Sequence, residues 1–464
     1  ACTSPGRTPT IANRIDGLMD AQDSTVTDQR SGVRVGENPR LWRLRPLYVG
    51  AAGIVESVPK LWDGVLPLTI GRHAPPRAAG PWLVVEDERV SREHARLEQV
   101  GDAVVLHDCG SKNGTQLNGQ NLPAKGCLPL SDGDVIGVGR SILLVRHEVA
   151  THADAEIASI VGVSAAACQL RHSIAQAAHS GQPVLLLGAT GTGKEVAAHA
   201  LHRLSGRAGK LVPVNCAAIP STLAESLFFG VQRGAFTGAL SSPGVFGEAE
   251  GGTLFLDEVG ELPIELQAKL LRAIAQREFL PLGSTKAVRC DVRIVAATNR
   301  DLAQEMQRGS FRADLLARLA AAVIALPLLR ERREDVLLLA RHFAGGTLSV
   351  SPSLAEAMVL YPWPFNVREL RNIVARMQAE VTDAALLRML KASPQANAAD
   401  NRQTPAAGPA QARPAPNRAE LSALLEQYAG NLLRIEQEQG YSRRQLRRWA
   451  DKFGLNIDRF RVPK

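Results

Sequence analysis

Across residues 47–146, short apolar runs at 66–70, 82–85, 103–106 and 142–145 alternate with Gly-rich turns. Runs of strand length between turn residues predict a small all-β domain over residues 46–147. The period changes at residue 157. From there to about residue 393, apolar strand candidates such as 184–187 and 292–297 alternate with long amphipathic runs. That alternation predicts an α/β domain, with a helical appendage from about residue 331. Residues 1–45 mix Thr, Ser, Asp, Gly and Arg without a sustained period and predict a poorly ordered leader. Residues 394–418, rich in Ala, Pro, Gln and Asn, predict a linker. Helical periodicity returns over 419–464, with helices expected at 419–429, 431–438 and 442–453 about a turn at Gly440.

Composition supports a multidomain reading: 464 residues suit two to four domains of about 100–200 residues each. With 45% apolar and 22% charged residues, most of the chain is expected to be globular. Cys2, Cys109, Cys127, Cys168, Cys216 and Cys290 form no CxxC pair and no Cys/His cluster, as expected of reduced thiols in a cytoplasmic protein. No run of 18 apolar residues predicts a membrane span, and no apolar signal core is present. Ala1 in place of Met points to a trimmed or missing start. The net charge of +8 favours an acidic partner, and basic residues concentrate near the end, at Arg443, Arg444, Arg447 and Arg448.

The string GATGTGK, residues 188–194, follows an apolar strand candidate and precedes a helical run. Glycines such as Gly188, Gly191 and Gly193 let backbone amides turn toward phosphate oxygens, and Lys194 reaches the β and γ phosphates. About 60 residues later, GGTLFLDE ends in Asp257, placed to help hold magnesium, and Glu258, placed to polarise water. Thr192 belongs to the loop, and Glu195 stands where a generic phosphate loop has Ser or Thr to ligate the metal. Thr298 and Asn299 end the next strand candidate, where they would sense the γ phosphate. Arg312 and Arg318, in FRADLLARL, invite a role in a neighbouring subunit's site. These residues imply ATP and Mg2+ as cofactors.

Residues 157–393 resemble the AAA+ domain of bacterial enhancer-binding activators that work with sigma-54 RNA polymerase. The diagnostic string is RGAFTGA, residues 233–239. The resemblance makes Gly234, Ala235, Phe236, Thr237, Gly238 and Ala239 the loop that engages sigma-54. It makes Asn215 the residue holding Glu258 from water, Arg312 and Arg318 trans-acting arginines, and Arg368 the lid arginine over nucleotide. It also implies a homo-oligomer, a ring hexamer or heptamer, with a dimeric resting state. The chain departs from that family at Ala189, Val231, Gln232, Ala320 and Phe365, which bears on coupling and lid closure more than on hydrolysis.

In the β domain, TIGRH, VSREHARL and HDCGSKNGTQLNG place Gly, Asn and Ser beside a basic residue, a pattern suited to recognition rather than catalysis. Residues 46–147 resemble forkhead-associated (FHA) domains, which bind phosphothreonine peptides. By position, Arg72 and Ser91 contact phosphate, Lys112 adds charge and Asn113 binds peptide backbone, while His94 braces the loops and Asn118 supports a turn. The ligand is expected to be another protein or the Thr-containing leader. Residues 421–457 resemble the Fis-type helix-turn-helix of the same activators, with Ser442, Arg443, Arg444, Arg447 and Arg448 toward enhancer DNA. Together these imply ATP-driven transcription activation under phosphothreonine control. The alternatives are a noncatalytic phosphothreonine adaptor and a protein-remodelling ATPase outside transcription.

Overall fold

The computed structural model describes residues 40–50, 52–55, 62–63, 66–76, 80–101, 103–123, 125–149, 157–235, 240–379, 382–392, 418–428, 453 and 455. The chain separates into two compact units, residues 1–397 and 398–464.

The first unit opens with twelve strands: β1 (Arg40–Val49), β2 (Gly53–Ile54), β3 (Trp62–Asp63), β4 (Leu68–Gly71), β5 (Trp82–Val84), β6 (Ala95–Val100), β7 (Ala103–Asp108), β8 (Thr115–Leu117), β9 (Gln120–Asn121), β10 (Cys127–Pro129), β11 (Val135–Val138) and β12 (Ser141–Val149). One sheet runs β2-β1-β12-β11-β8-β9 with β3 on β1, and the other runs β10-β7-β6-β4-β5. Leu44, Ile136, Val138, Leu143 and Val145 of the first meet Leu68, Ile70, Leu97 and Leu106 of the second in a buried core. The strand pairing corrects the expected leader. Residues 40–45 are not outside the domain but belong to β1, which pairs antiparallel with β12 from Arg40↔Val149 onward. Arg43 and Arg45 hid this strand, because charged residues at alternate positions read as loop. In the fold both are buried and both reach Glu148. Residues 1–39 lie outside the described part.

Five parallel strands form the centre of the α/β domain: β13 (Val184–Leu187), β14 (Leu211–Asn215), β15 (Thr253–Asp257), β18 (Arg293–Thr298) and β19 (Ala322–Ala325), ordered β14-β15-β18-β13-β19. A separate two-stranded piece, β16 (Glu278–Phe279) with β17 (Val288–Arg289), lies between β15 and β18 in the chain. Both faces of the parallel sheet are covered, so its strands are apolar throughout. Leu185, Leu187, Leu254, Leu256, Ile294 and Ala296 pack on one side, and Val184, Leu186, Phe255, Val295 and Ala297 on the other. This is the strand period of two. The flanking helices are α1 (Ala165–His179), α2 (Lys194–Leu204), α3 (Ser221–Phe229), α4 (Gly244–Glu248), α5 (Ile264–Gln276), α6 (Leu302–Gln307) and α7 (Ala313–Leu319). The helical appendage, or lid, comprises α8 (Glu334–Phe343), α9 (Pro352–Leu360), α10 (Asn366–Gln378) and α11 (Asp383–Ala392) around the buried Trp363. The start of α9 is written locally: Ser351 accepts from the Leu354 amide and Pro352 occupies the first turn.

In the second unit the described helix is α12 (Arg418–Gln427), whose Leu421 and Leu425 are both buried, one turn apart. Ser442, Arg443, Arg444, Arg447 and Arg448, with the helix-turn-helix geometry expected around them, lie outside the described residues. Among the described residues no helix is long and apolar enough to cross a membrane.

One buried cation joins sheet to helix. Arg293, 2% exposed, donates to the Ala177 carbonyl at 2.6 Å and the Ala178 carbonyl at 2.7 Å, satisfying the C-terminal end of α1. Arg293→Leu is expected to lower stability by about 1.5–3 kcal/mol, read as an earlier urea midpoint at unchanged m value.

Candidate nucleotide and phosphate-recognition sites

Parallel register decides which side chains meet. Leu187 pairs with Thr298 across β13 and β18, and Asn215 pairs with Asp257 across β14 and β15. The loop 188–193, the Asp257–Glu258 pair and Thr298–Asn299 therefore emerge together at the carboxyl edge of the sheet, where open α/β sheets hold ligands. The loop's glycines answer to sterics. A Cβ on Gly191, at φ +79°, would stand 2.2 Å from the Phe365 carbonyl oxygen, and one on Gly188 would stand 2.7 Å from Thr192 Oγ1. Gly193, at φ +105°, starts α2.

Lys194 is only 8% exposed; its Nζ donates to the Gly188 carbonyl at 3.0 Å and lies 3.5 Å from Glu258 Oε1. Glu258 sits in left-handed backbone at φ +52°, and its Oε2 accepts from the Asn299 amide at 3.2 Å. Asn299 Nδ2 reaches Thr190 Oγ1 at 3.2 Å, so one residue joins the phosphate loop to the acidic pair. Thr298 is buried; its carbonyl accepts from the Gly188 amide and its hydroxyl from the Arg300 amide. Burial, then the Glu258 charge beside it, push the Asp257 carboxyl above its ordinary range against the pull of Lys194. Two crowded carboxylates beside a lysine offer hard oxygen donors that fit a nucleotide-bound magnesium ion. Glu195 is exposed in the first turn of α2.

Asn215 differs from its expected contact. Its Oδ1 accepts from the Ala217 amide at 3.0 Å, capping a short turn, while the described partners of Glu258 are Lys194 and Asn299. The cap holds Asn215 because a turn starts at Cys216 and needs an acceptor there. Arg312 and Arg318 are exposed at opposite ends of α7, and Arg312 grips Asp314 with Nε at 3.0 Å and Nη2 at 2.7 Å. The Arg368 amide donates to the Gly191 carbonyl at 3.3 Å, and its side chain is exposed.

Two residues here escaped the sequence reading. Asn366, buried and at φ +52°, donates from Nδ2 to the Thr190 carbonyl at 3.1 Å and accepts from the Leu329 amide at 3.0 Å. It rivets lid to phosphate loop. Asparagine tolerates left-handed backbone, which was the available signal. Arg332, 4% exposed, points Nη2 at the Thr192 carbonyl, 3.5 Å away; the run of six charged residues at 330–335 gave no hint that Arg332, Glu334 and Asp335 are buried.

The loop at 230–244 is anchored through backbone. The Val231 and Ser242 amides and carbonyls pair with each other at 2.9 and 3.0 Å, and the Gln232 amide donates to the Leu282 carbonyl at 2.9 Å. The substituted side chains Val231 and Gln232 thus leave these contacts intact. Gly234 has φ +87° and Ala235 follows it; Phe236, Thr237, Gly238 and Ala239 lie outside the described residues.

In the sandwich, His94 is fully buried between two loops. Its Nδ1 accepts from the Ser91 amide at 3.0 Å, which leaves Nε2 protonated to donate to the Gly114 carbonyl at 3.1 Å. Burial lowers its pKa despite the Gly114 bond, so it braces as a neutral ring. Ser91 Oγ accepts from the Lys112 amide at 3.1 Å, Asn113 Nδ2 donates to the Arg89 carbonyl at 2.7 Å, and the Arg72 amide donates to the Ser91 carbonyl. Arg72, Ser91, Lys112 and Asn113 therefore occupy one loop cluster, with Lys112 and Asn113 exposed. Asn118 bridges Asp134 and the Val135 amide, both at 2.9 Å.

Asp108 holds this cluster from beneath, accepting from Thr115 Oγ1 at 2.7 Å, Ser111 Oγ at 2.6 Å and the Gly110 amide at 3.0 Å. Burial opposes its ionisation, but those donors outweigh burial and hold the carboxyl below its ordinary range. A depressed carboxylate stabilises the fold above its unfolded pKa, about 3.9, and loses that contribution as pH falls through the folded value. Asp108→Asn is expected to cost about 1–3 kcal/mol at neutral pH, and the gap from wild type to close in urea titrations taken below about pH 4.

Three family descriptions match the chain: "Sigma-54 interaction domain" over residues 160–325, "FHA domain" over 68–139 and "AAA+ ATPase lid domain" over 330–407. Nitric oxide reductase transcription regulator NorR1 of Cupriavidus necator is 50% identical over 232 residues, which are 48% of this chain and 45% of that protein. A putative uric acid sigma-54-dependent transcriptional regulator, UacR of Escherichia coli, is 44% identical over 247 residues, 50% of this chain and 42% of that one. The chain thus spans less than half the length of these relatives. The ATP complex of NtrX from Brucella abortus aligns at 30% identity with TM-score 0.46, over 64% of this chain and 70% of that one.

Proposed function

We propose, from the premise that this chain belongs to the family of sigma-54-dependent transcriptional activators and joins an FHA domain to an AAA+ ATPase domain, that it hydrolyses ATP to drive promoter opening by sigma-54 RNA polymerase. The observation that carries this reading is the convergence of Lys194, Glu258 and Asn299 on one phosphate loop at the sheet edge. In it, the amides of 188–193 and Lys194 cradle the phosphates, and Asp257 is the residue that would hold magnesium, which would supply charge neutralisation at the transferring phosphoryl group. Glu258 orients the attacking water, released from Lys194 once phosphate takes over the ammonium. Thr298 and Asn299 report the γ phosphate. Arg312, exchanging Asp314 for a neighbour's phosphate, acts with Arg318 in trans, so turnover needs a homo-oligomeric ring, and Arg368 closes the lid.

The loop Gly234–Ala235–Phe236–Thr237–Gly238–Ala239 contacts sigma-54, with its base held by the Val231 and Gln232 backbone. Ser442, Arg443, Arg444, Arg447 and Arg448 bind enhancer DNA. The FHA loops bind a phosphothreonine segment through Arg72, Ser91, Lys112 and Asn113, from another protein or from the leader, and that binding regulates the motor.

Glu258→Gln is expected to retain ATP binding while turnover falls about 10²-fold or more, and chelation of magnesium to stop turnover. Open-complex assays with sigma-54 polymerase and linked enhancer DNA test the coupling: Thr237→Ala should hydrolyse ATP yet open no promoter. Normal opening by Thr237→Ala would overturn the sigma-54 contact. Arg72→Ala is expected to weaken phosphothreonine-peptide binding by at least about tenfold, measured by fluorescence anisotropy.

A further inference from the structure

The outer face of one sandwich sheet is apolar where a solvated sheet carries polar side chains. Along β12, Leu143 and Val145 enter the sandwich core, while Ile142 and Leu144 join a cluster built mainly by the lid. Along β11, Ile136 and Val138 go inward and Val135 goes to the lid. Leu47 and Tyr48 complete the face, met by Val336, Leu337, Ala340 and Leu354. Tyr48 Oη donates to the Val350 carbonyl at 3.1 Å within this contact.

Further polar contacts gather on one short stretch, residues 331–334. Arg146 of β12 donates from Nε to Glu334 Oε1 at 2.8 Å and from Nη2 to the Glu331 carbonyl at 2.9 Å, and Arg333 donates to the Gly133 carbonyl at 2.7 Å. The neighbours of these residues face elsewhere. Arg332 points at the Thr192 carbonyl in the phosphate loop, with its Nε buried and unmatched. Asp335 accepts from the Val163 amide at 2.7 Å and from the Ser164 amide and hydroxyl at the start of α1. Four consecutive residues, 332–335, therefore tie the sandwich, the phosphate loop and the first helix of the motor to one piece of backbone.

We infer that Arg146 is a positioning residue for the nucleotide site, fixing the Glu331–Asp335 segment so that Arg332 holds the Thr192 carbonyl and with it the loop 188–193. The sandwich is then a permanent arm of the lid. Lys112 and Asn113 of its recognition loops remain exposed in this arrangement. The inference rests on residues 188–194 being the ATP loop.

The test is ATP turnover by the full chain as wild type, Arg146→Glu, Arg146→Lys and the swapped pair Arg146→Glu with Glu334→Arg. Arg146→Glu is expected to raise KM for ATP about fivefold or more with kcat held within about twofold, and either Arg146→Lys or the swapped pair to recover most of that loss. An unchanged KM in Arg146→Glu, or a raised KM that neither Arg146→Lys nor the swap recovers, overturns the inference while leaving the ATP site standing. Absence of turnover and of ATP binding in the wild type overturns both.

Discussion

The parallel register of β13 with its neighbours is the constraint on which the site depends. Pairing Leu187 with Thr298 sets the start of the phosphate loop level with the residues that close it. A slip of one residue in β18 would turn Val295 and Ala297 to the wrong side of the sheet, against the other apolar layer. Because both faces of this sheet are buried, packing holds the register from two directions. The chemistry at its edge inherits that rigidity, and the side chains there need only short reaches, as the 3.0–3.5 Å contacts of Lys194 illustrate.

A second constraint is the need to satisfy buried polar groups. His94, Asn366 and Asp335 each lie at a junction between segments that are distant in sequence, and each spends its hydrogen bonds on backbone or hydroxyl groups of the segments it joins. Leaving any of these groups unpaired would cost more than the bond itself contributes. Such residues fix geometry without touching a ligand. The recognition loops of the sandwich and the lid-to-loop contact of the motor are both built this way.

Local patterns carried far in the sequence. The apolar run at β13 followed by GATGTGK, and the strand ending in Asp257 and Glu258, were legible because strand period and loop glycines are properties of neighbouring residues. The strand holding Arg43 and Arg45 was not, since two charges at alternate positions look solvated until Glu148 is brought beside them. The cap that Asn215 Oδ1 provides to the Ala217 amide was likewise not legible, because residue order does not say which neighbour an amide side chain turns to. The apolar continuity of β11 and β12 had a visible signature, a sandwich strand without alternation, yet the surface that covers it lies some 190 residues away in the chain.

Short-range spacing was enough to read the β-sandwich, the α/β domain and its helical lid in their order, together with the candidate loop at 188–193 and the Asp257–Glu258 pair. Long-range packing alone brings Arg146 to Glu334, buries Arg332 with its guanidinium aimed at the Thr192 carbonyl, and lays the lid over the outer face of the sandwich. Those outcomes depend on which distant surfaces exclude water from one another, and burial, unlike period, is a property no local window of residues contains.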